Sequence, residues 1–139
     1  MSERHRRCRG SAVIELVLAV PILLMFVDLG VAGGRHAQAQ ALADAAAHGA
    51  ARAASEARTV AGATGAADAA AAASLNQAGP SCATYTVSVD TSAFHAGGTV
   101  SVDVQCQTSL SDLTSLPLPG SMRLVGHSVS PIDVFRSAA

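Results

Sequence analysis

The chain has 139 residues, half of them apolar, with no tryptophan, one tyrosine, three phenylalanines and a formal charge of −1 at pH 7. Its nine basic residues are all arginine, which excludes phosphate loops and amine-based mechanisms that need a lysine. Four of those arginines precede residue 10 and no basic stripe follows, so nothing offers a footing for nucleic-acid binding.

Residues 1–10 form a basic leader with Arg4, Arg6, Arg7 and Arg9. An apolar run from Ser11 to Ala32 follows, interrupted only by Glu15, Pro21 and Asp28. As a helix it reaches roughly 33 Å, close to the hydrocarbon thickness of a bilayer, which predicts a single transmembrane segment over 11–32. The charge difference between leader and Arg35 predicts a cytoplasmic N-terminus and an extracytoplasmic C-terminal part. Glu15 stands out, because a carboxylate in lipid costs on the order of a few kcal/mol and usually has a partner. Asp28 falls near the outer headgroups and reads as a boundary residue.

Gly30, Gly33 and Gly34 predict a bend or a close helix contact at the membrane exit. An Ala-rich helical region over 33–78 follows. Its first part, Arg35 to Arg58, carries His36, Gln40, Asp44, His48, Arg52 and Glu56 at every fourth position. That spacing makes a polar stripe with i,i+4 pairs worth a few tenths of a kcal/mol each. Ala39, Ala43, Ala46, Ala47, Ala50, Ala53 and Ala54 lie off the stripe and read either as a solvated face or as an assembly face. Gly62 and Gly65 suggest a break with a connector over Thr59 to Gly65, before a second alanine helix that stops near Ala78-Gly79-Pro80.

Beyond residue 79 the period changes to two. Tyr85, Val87 and Val89 alternate with polar residues, as do Val100, Val102, Val104 and Cys106, which predicts two half-buried strands turned by Gly97-Gly98. Pairing Tyr85 with Val104, Val87 with Val102 and Val89 with Val100 places the apolar side chains on one face. Leu110, Leu113 and Leu116 suggest a helical turn. Leu124 to Val129 and Ile132 to Phe135 read as an edge strand interrupted by Pro131. The sheet is expected to lie on the second alanine helix. In an oxidising compartment Cys82 and Cys106 form a natural disulfide, whereas Cys8, ahead of the apolar run, reads as an incidental leader residue.

No motif for hydrolysis, redox or phosphate chemistry appears. Asp44 and His48 have spacing suited to a shared metal, but two ligands are too few, so no metal or cofactor is expected. A serine, His127 and Asp133 could be grouped as a triad only on paper.

Arg9-Gly10-Ser11-Ala12-Val13-Ile14-Glu15, then Pro21, Gly33-Gly34-Arg35 and Ala50 to Ser55, resembles the TadE-like family in its actinobacterial form. These are pilin-like components of tight-adherence (Flp) pilus systems. The resemblance implies cleavage by a prepilin peptidase after Gly10, so that Ser11 begins the mature chain and Glu15 is its fifth residue. It also implies partners: the membrane, other pilin-like subunits met through the N-terminal helix as homo- or hetero-oligomers, and a pilus assembly platform. The tail from 79 to 139, a small exported β-rich domain, is similar to family tails in general pattern.

The expected fold is therefore α+β: a long N-terminal transmembrane helix continuing into an Ala-rich helix, a second Ala-rich helix, and a small antiparallel sheet with one disulfide. The expected function is non-enzymatic assembly of a pilus or related secretion apparatus at the cell membrane. A membrane-anchored exported binding or sensor module that does not polymerise is the alternative.

Overall fold

The computed structural model describes residues 8–77, 82, 84–113, 117 and 119–135, with the backbone alone at 8–12. Helix α1 (Cys8–Glu56) is continuous over 49 residues and runs through Pro21. Helix α2 (Val60–Gln77) folds back on it. Strands β1 (Thr84–Asp90), β2 (Thr99–Ser109) and β3 (Ser121–Pro131) form an antiparallel sheet in that order, with the one-turn helix α3 (Leu110–Leu113) between β2 and β3. The long apolar helix, the second helix, the small sheet and the disulfide of the expected fold are all present.

Ala-rich sequence favours helix because alanine loses no side-chain entropy. The first helix runs on through the glycines at 30, 33 and 34, and nothing lies within 4 Å of where a Cβ would sit at any of them, so no close contact is made there within the chain. The interhelix connector is residues 57–59 rather than Thr59 to Gly65. Thr59 caps α2, its Oγ1 accepting the Gly62 amide at 3.1 Å and its carbonyl the Ala63 amide at 2.8 Å. A threonine cap satisfies N–H groups that the first turn leaves open, and Gly62 and Gly65 are carried inside the helix.

The alanine face of α1 is neither solvated nor free for assembly. Ala39, Ala43, Ala46, Ala47, Ala50, Ala51 and Ala54 are buried, and Ala63, Ala67, Ala71 and Leu75 of α2 are buried with them. Val100, Val102 and Val104 of β2 complete the larger cluster; Ala39, Ala43, Cys106 and Leu124 form a second, and Cys82 packs against both. The sheet lies chiefly on α1, through β3 and β2, while α2 meets it at β1, so the expected docking on the second helix is corrected. Methyl groups leave little bulk between elements, and the backbones can approach closely.

The closest approach is at Gly126. A Cβ there would overlap the Ala43 carbonyl and lie 2.7 Å from the Asp44 nitrogen. On either side, Gln40 Nε2 donates to the Val125 carbonyl at 2.9 Å, Ser128 Oγ and His48 Nδ1 share a 3.2 Å hydrogen bond, and Ser130 Oγ donates to Ser55 Oγ at 3.1 Å. The contacts advance together along both elements, so β3 runs parallel to the second half of α1.

The β1–β2 register is two residues from the expected one. Tyr85 pairs with Cys106, Val87 with Val104 and Val89 with Val102. An even slip keeps every side chain on its face, so Ser88 and Asp103 stay on the outer side, where they now stand opposite each other. The cause lies in the connection. The Thr99 amide donates to the Ala93 carbonyl at 3.2 Å and Gly98 to His95 at 2.8 Å, which keeps Thr99 from pairing with Asp90. Gly97 takes φ +76° in this turn, and a Cβ on Gly98 would collide with the Ala93 carbonyl. At the start of the loop Asp90 Oδ1 accepts the Ser92 amide at 2.9 Å. That bond, and then the Ser92 hydroxyl, hold the Asp90 carboxyl below its ordinary range.

The last strand is one piece. Pro131 closes β3 at its end, and Ile132 continues by exchanging backbone bonds with Gly97 and Gly98 at 3.2 and 2.9 Å. Leu110 and Leu113 lie in α3 as expected; Leu116, like Ala78-Gly79-Pro80, lies outside the described residues.

Cys82 and Cys106 are bonded, with Cα atoms 5.5 Å apart and 24 positions between them in sequence. Closing a loop of that size stabilises by roughly 3 to 4 kcal/mol in the chain-entropy model. Replacing either cysteine by serine is expected to destabilise the domain by about 2 to 5 kcal/mol, read by chemical denaturation under oxidising conditions. Gly126→Ala is expected to lose about 1 to 3 kcal/mol or more, because the added methyl meets backbone that cannot rotate away. Gly65→Ala, in open space on α2, should gain about 0.5 to 1 kcal/mol in the same assay.

Candidate functional site

The residues singled out for processing and assembly all lie at the start of α1. Gly10 and Ser11 are in its first turns, and Glu15 stands one turn beyond Ser11. A spacing of four puts positions 11 and 15 on one side of the helix. Glu15 is exposed, and no ion pair among the described residues involves it. Asp28 is likewise exposed, two helical turns before Arg35.

Around these charges the helix is apolar on every side. Each large apolar side chain from Val13 to Val31 is exposed, from 44 % at Val31 to 72 % at Met25. The segment is long and apolar enough to cross a membrane, and its apolar window is 0 % buried by the chain's own fold. A buried core helix would be covered by its own chain. This one requires an apolar surrounding from elsewhere.

The other sequence candidates resolve differently. Of the stripe's pairs, Arg52 and Glu56 meet at 3.4 Å, but with side chains 83 % and 71 % exposed they contribute little. Asp44 accepts from Gln40 at 3.2 Å instead of pairing with His48, which bonds Ser128. Asp133 Oδ1 accepts the Phe135 amide at 2.9 Å, so it does not orient His127. His127 Nδ1 instead lies 2.7 Å from Asp103 Oδ1, cross-strand on the outer face of the sheet. Among the described residues no group of three or more His, Cys, Asp or Glu could hold a metal ion.

Sequence reasoning missed two features. One is the close approach at Gly126, for which an isolated glycine within an alternating strand is the available signal. The other is a cleft of about 190 Å³ where Arg35 and Gln38 of α1 face Thr108, Asp112 and Leu113. Nothing in local sequence joins residues more than seventy positions apart.

The family model of TadE-like proteins matches residues 10–52. The chain carries a TadE-like segment. The matched stretch begins at Gly10, takes in the uncovered apolar helix and Glu15, and ends at Arg52 among the buried alanines of α1. It supports a pilus-associated component of a tight-adherence system, whose TadE-like members are pilin-like structural proteins. No curated protein and no solved structure matches the chain.

The second half of the TadE-like segment packs inside its own domain. Ala47→Leu should therefore destabilise the fold by about 1 to 3 kcal/mol through overpacking. A variant that melts like the parent but fails to associate with other subunits would return this face to the assembly role.

Proposed function

We propose that the chain is a non-enzymatic, pilin-like membrane component for assembly of a tight-adherence (Flp) pilus or related secretion apparatus. The carrying observation is the uncovered apolar helix that opens the TadE-like match, with Gly10-Ser11 at its start and Glu15 one turn on. On this reading the N-terminus is cytoplasmic, residues 11–32 cross the cell membrane once, and the domain built on α1 is extracytoplasmic. A prepilin peptidase cuts between Gly10 and Ser11. Other pilin-like subunits and the assembly platform then meet the exposed helix.

Electrostatics gives Glu15 its role. Cleavage leaves an α-ammonium on Ser11, and in a low-dielectric surrounding an unpaired ammonium or carboxylate is costly, whereas the two together are mutually stabilised. On a neighbouring chain displaced along the fibre axis, or within one chain, that pairing fixes the register of one helix on the next. Val13 to Val31 supply the apolar contact around it.

N-terminal sequencing of the membrane-bound form, from cells carrying the complete pilus locus, is expected to begin at Ser11. Gly10→Leu should block processing by filling the small-residue position beside the cut. Glu15→Gln should insert as well as the parent or better, since it removes a charge from lipid, yet fail to assemble. An intact leader together with normal assembly of Glu15→Gln would favour the membrane-anchored binding or sensor module instead.

A further inference from the structure

The cleft beside Arg35 lies where the domain meets the membrane surface. Counting along α1 from Ala32, Arg35 is about 4.5 Å and Gln38 about 9 Å beyond the end of the apolar run. The polar layer on each side of the hydrocarbon is roughly 5 to 7 Å deep, so the mouth of the cleft is level with the lipid headgroups. Thr108 and Asp112 reach the same level because β2 descends toward the membrane antiparallel to β3, which rises with α1.

Its chemistry is mixed. Arg35 Nη1 donates to the Asp112 carbonyl at 3.1 Å, which fixes the guanidinium at the rim and leaves its other N–H groups to donate elsewhere. Asp112 lines the same cleft, and the ion pairs among the described residues do not include one between it and Arg35. Thr108 on the wall is 1 % exposed, and its Oγ1 has no hydrogen-bond partner. That Oγ1 is itself out of reach of solvent, so Thr108 bounds the cleft without offering its hydroxyl to a ligand. Gln38 adds an amide, while Ala39 and Leu113 form an apolar floor.

We propose that this cleft binds the headgroup of a zwitterionic outer-leaflet phospholipid, with the phosphodiester on Arg35 and the headgroup ammonium on Asp112. The assignment rests on the reading that residues 11–32 cross the bilayer. A planar guanidinium favours phosphate oxygens. The carboxylate beside it disfavours a purely anionic headgroup and favours one that brings its own cation. Bound lipid would clamp the lower end of the sheet to the membrane exit of α1.

The test uses the full chain in bilayers of equal phosphatidylethanolamine and phosphatidylglycerol, extracted into mild detergent and weighed with its retained lipid by native mass spectrometry. Retained phosphatidylethanolamine is the expected result. Arg35→Gln should lower that retention by about tenfold or more, and Arg35→Lys should recover part of it. Asp112→Asn should shift the retained lipid toward phosphatidylglycerol. Equal retention by parent and Arg35→Gln, both with the Cys82–Cys106 bond intact and the same melting temperature, overturns the site, as does an unchanged headgroup preference in Asp112→Asn. Equal capture of glycerophosphoethanolamine from solution, without a bilayer, overturns the lipid assignment in favour of a soluble phosphodiester. A chain that alkaline carbonate strips from the membrane overturns the spanning reading along with the site; an inserted chain that retains no headgroup overturns the site alone.

Discussion

The fold of the domain depends on how closely other elements can approach the α1 backbone. Its buried inventory is alanine on both helices and valine on the central strand, with no aromatic residue among the fully buried side chains. A methyl group removes far less apolar area from water than a leucine or phenylalanine side chain does, so each contact is weak on the hydrophobic scale. Dispersion recovers part of that deficit only when atoms are in contact, which forces the elements together. Gly126 against the Ala43 carbonyl is the limiting case, where a strand touches helix backbone with no side chain between. The cross-link from Cys82 to Cys106 then acts on the other side of the balance, by reducing the freedom of the unfolded chain.

The same closeness explains why the polar stripe misleads when read from sequence. Gln40, His48 and the neighbouring Ser55 do not face bulk water alone; each bonds a residue of β3, at Val125, Ser128 and Ser130. From Gln40 to Ser55 the helix rises about 22 Å, while Val125 to Ser130 spans about 17 Å of strand, so the two elements keep company along most of that length. Small residues at the seam let polar side chains at its margin reach across to the strand. A stripe beside an alanine face is thus also the border of an interface, and periodicity cannot distinguish that from a solvated surface.

What sequence disclosed follows from what is local. The apolar run, the alanine helices and the alternation of Tyr85 to Val89 and Val100 to Cys106 each declare themselves within a few turns or pleats, and the structure has them all. A helix capped by Thr59 and rich in alanine carries Gly62 and Gly65 without breaking. The strand register was not local: alternation fixes its parity and leaves even slips open, and the Ala93 carbonyl decided between them by taking the Thr99 amide. The alanine face found its partners within the chain, a possibility that neither a solvated nor an assembly reading included. At residues 10–15 the informative signal is chemical rather than structural: a small residue, a change from basic to apolar, and one carboxylate.

Continuity of α1 also bears on which kind of leader this is. An ordinary signal-peptidase cut would follow the apolar run, near Ala37-Gln38-Ala39. That point lies inside an unbroken helix, immediately before Gln40, which bonds β3, and Ala43, which meets Gly126. Ala39 is itself 3 % exposed and packed with Cys106 and Leu124. Such a cut would leave buried alanines at a fraying helix end and would separate Arg35 from the Asp112 carbonyl. A cut after Gly10 touches none of these contacts and leaves one continuous helix whose first half is uncovered and whose second half packs in the core of the domain. The helix is unbroken between Ala32 and Ala39, so its backbone hydrogen bonding runs on from the apolar half into the half that carries the domain. The packing of Ala39 and the Gln40 bond to β3 are thus what a cut after the apolar run would disrupt, and a cut at Gly10 would leave them whole.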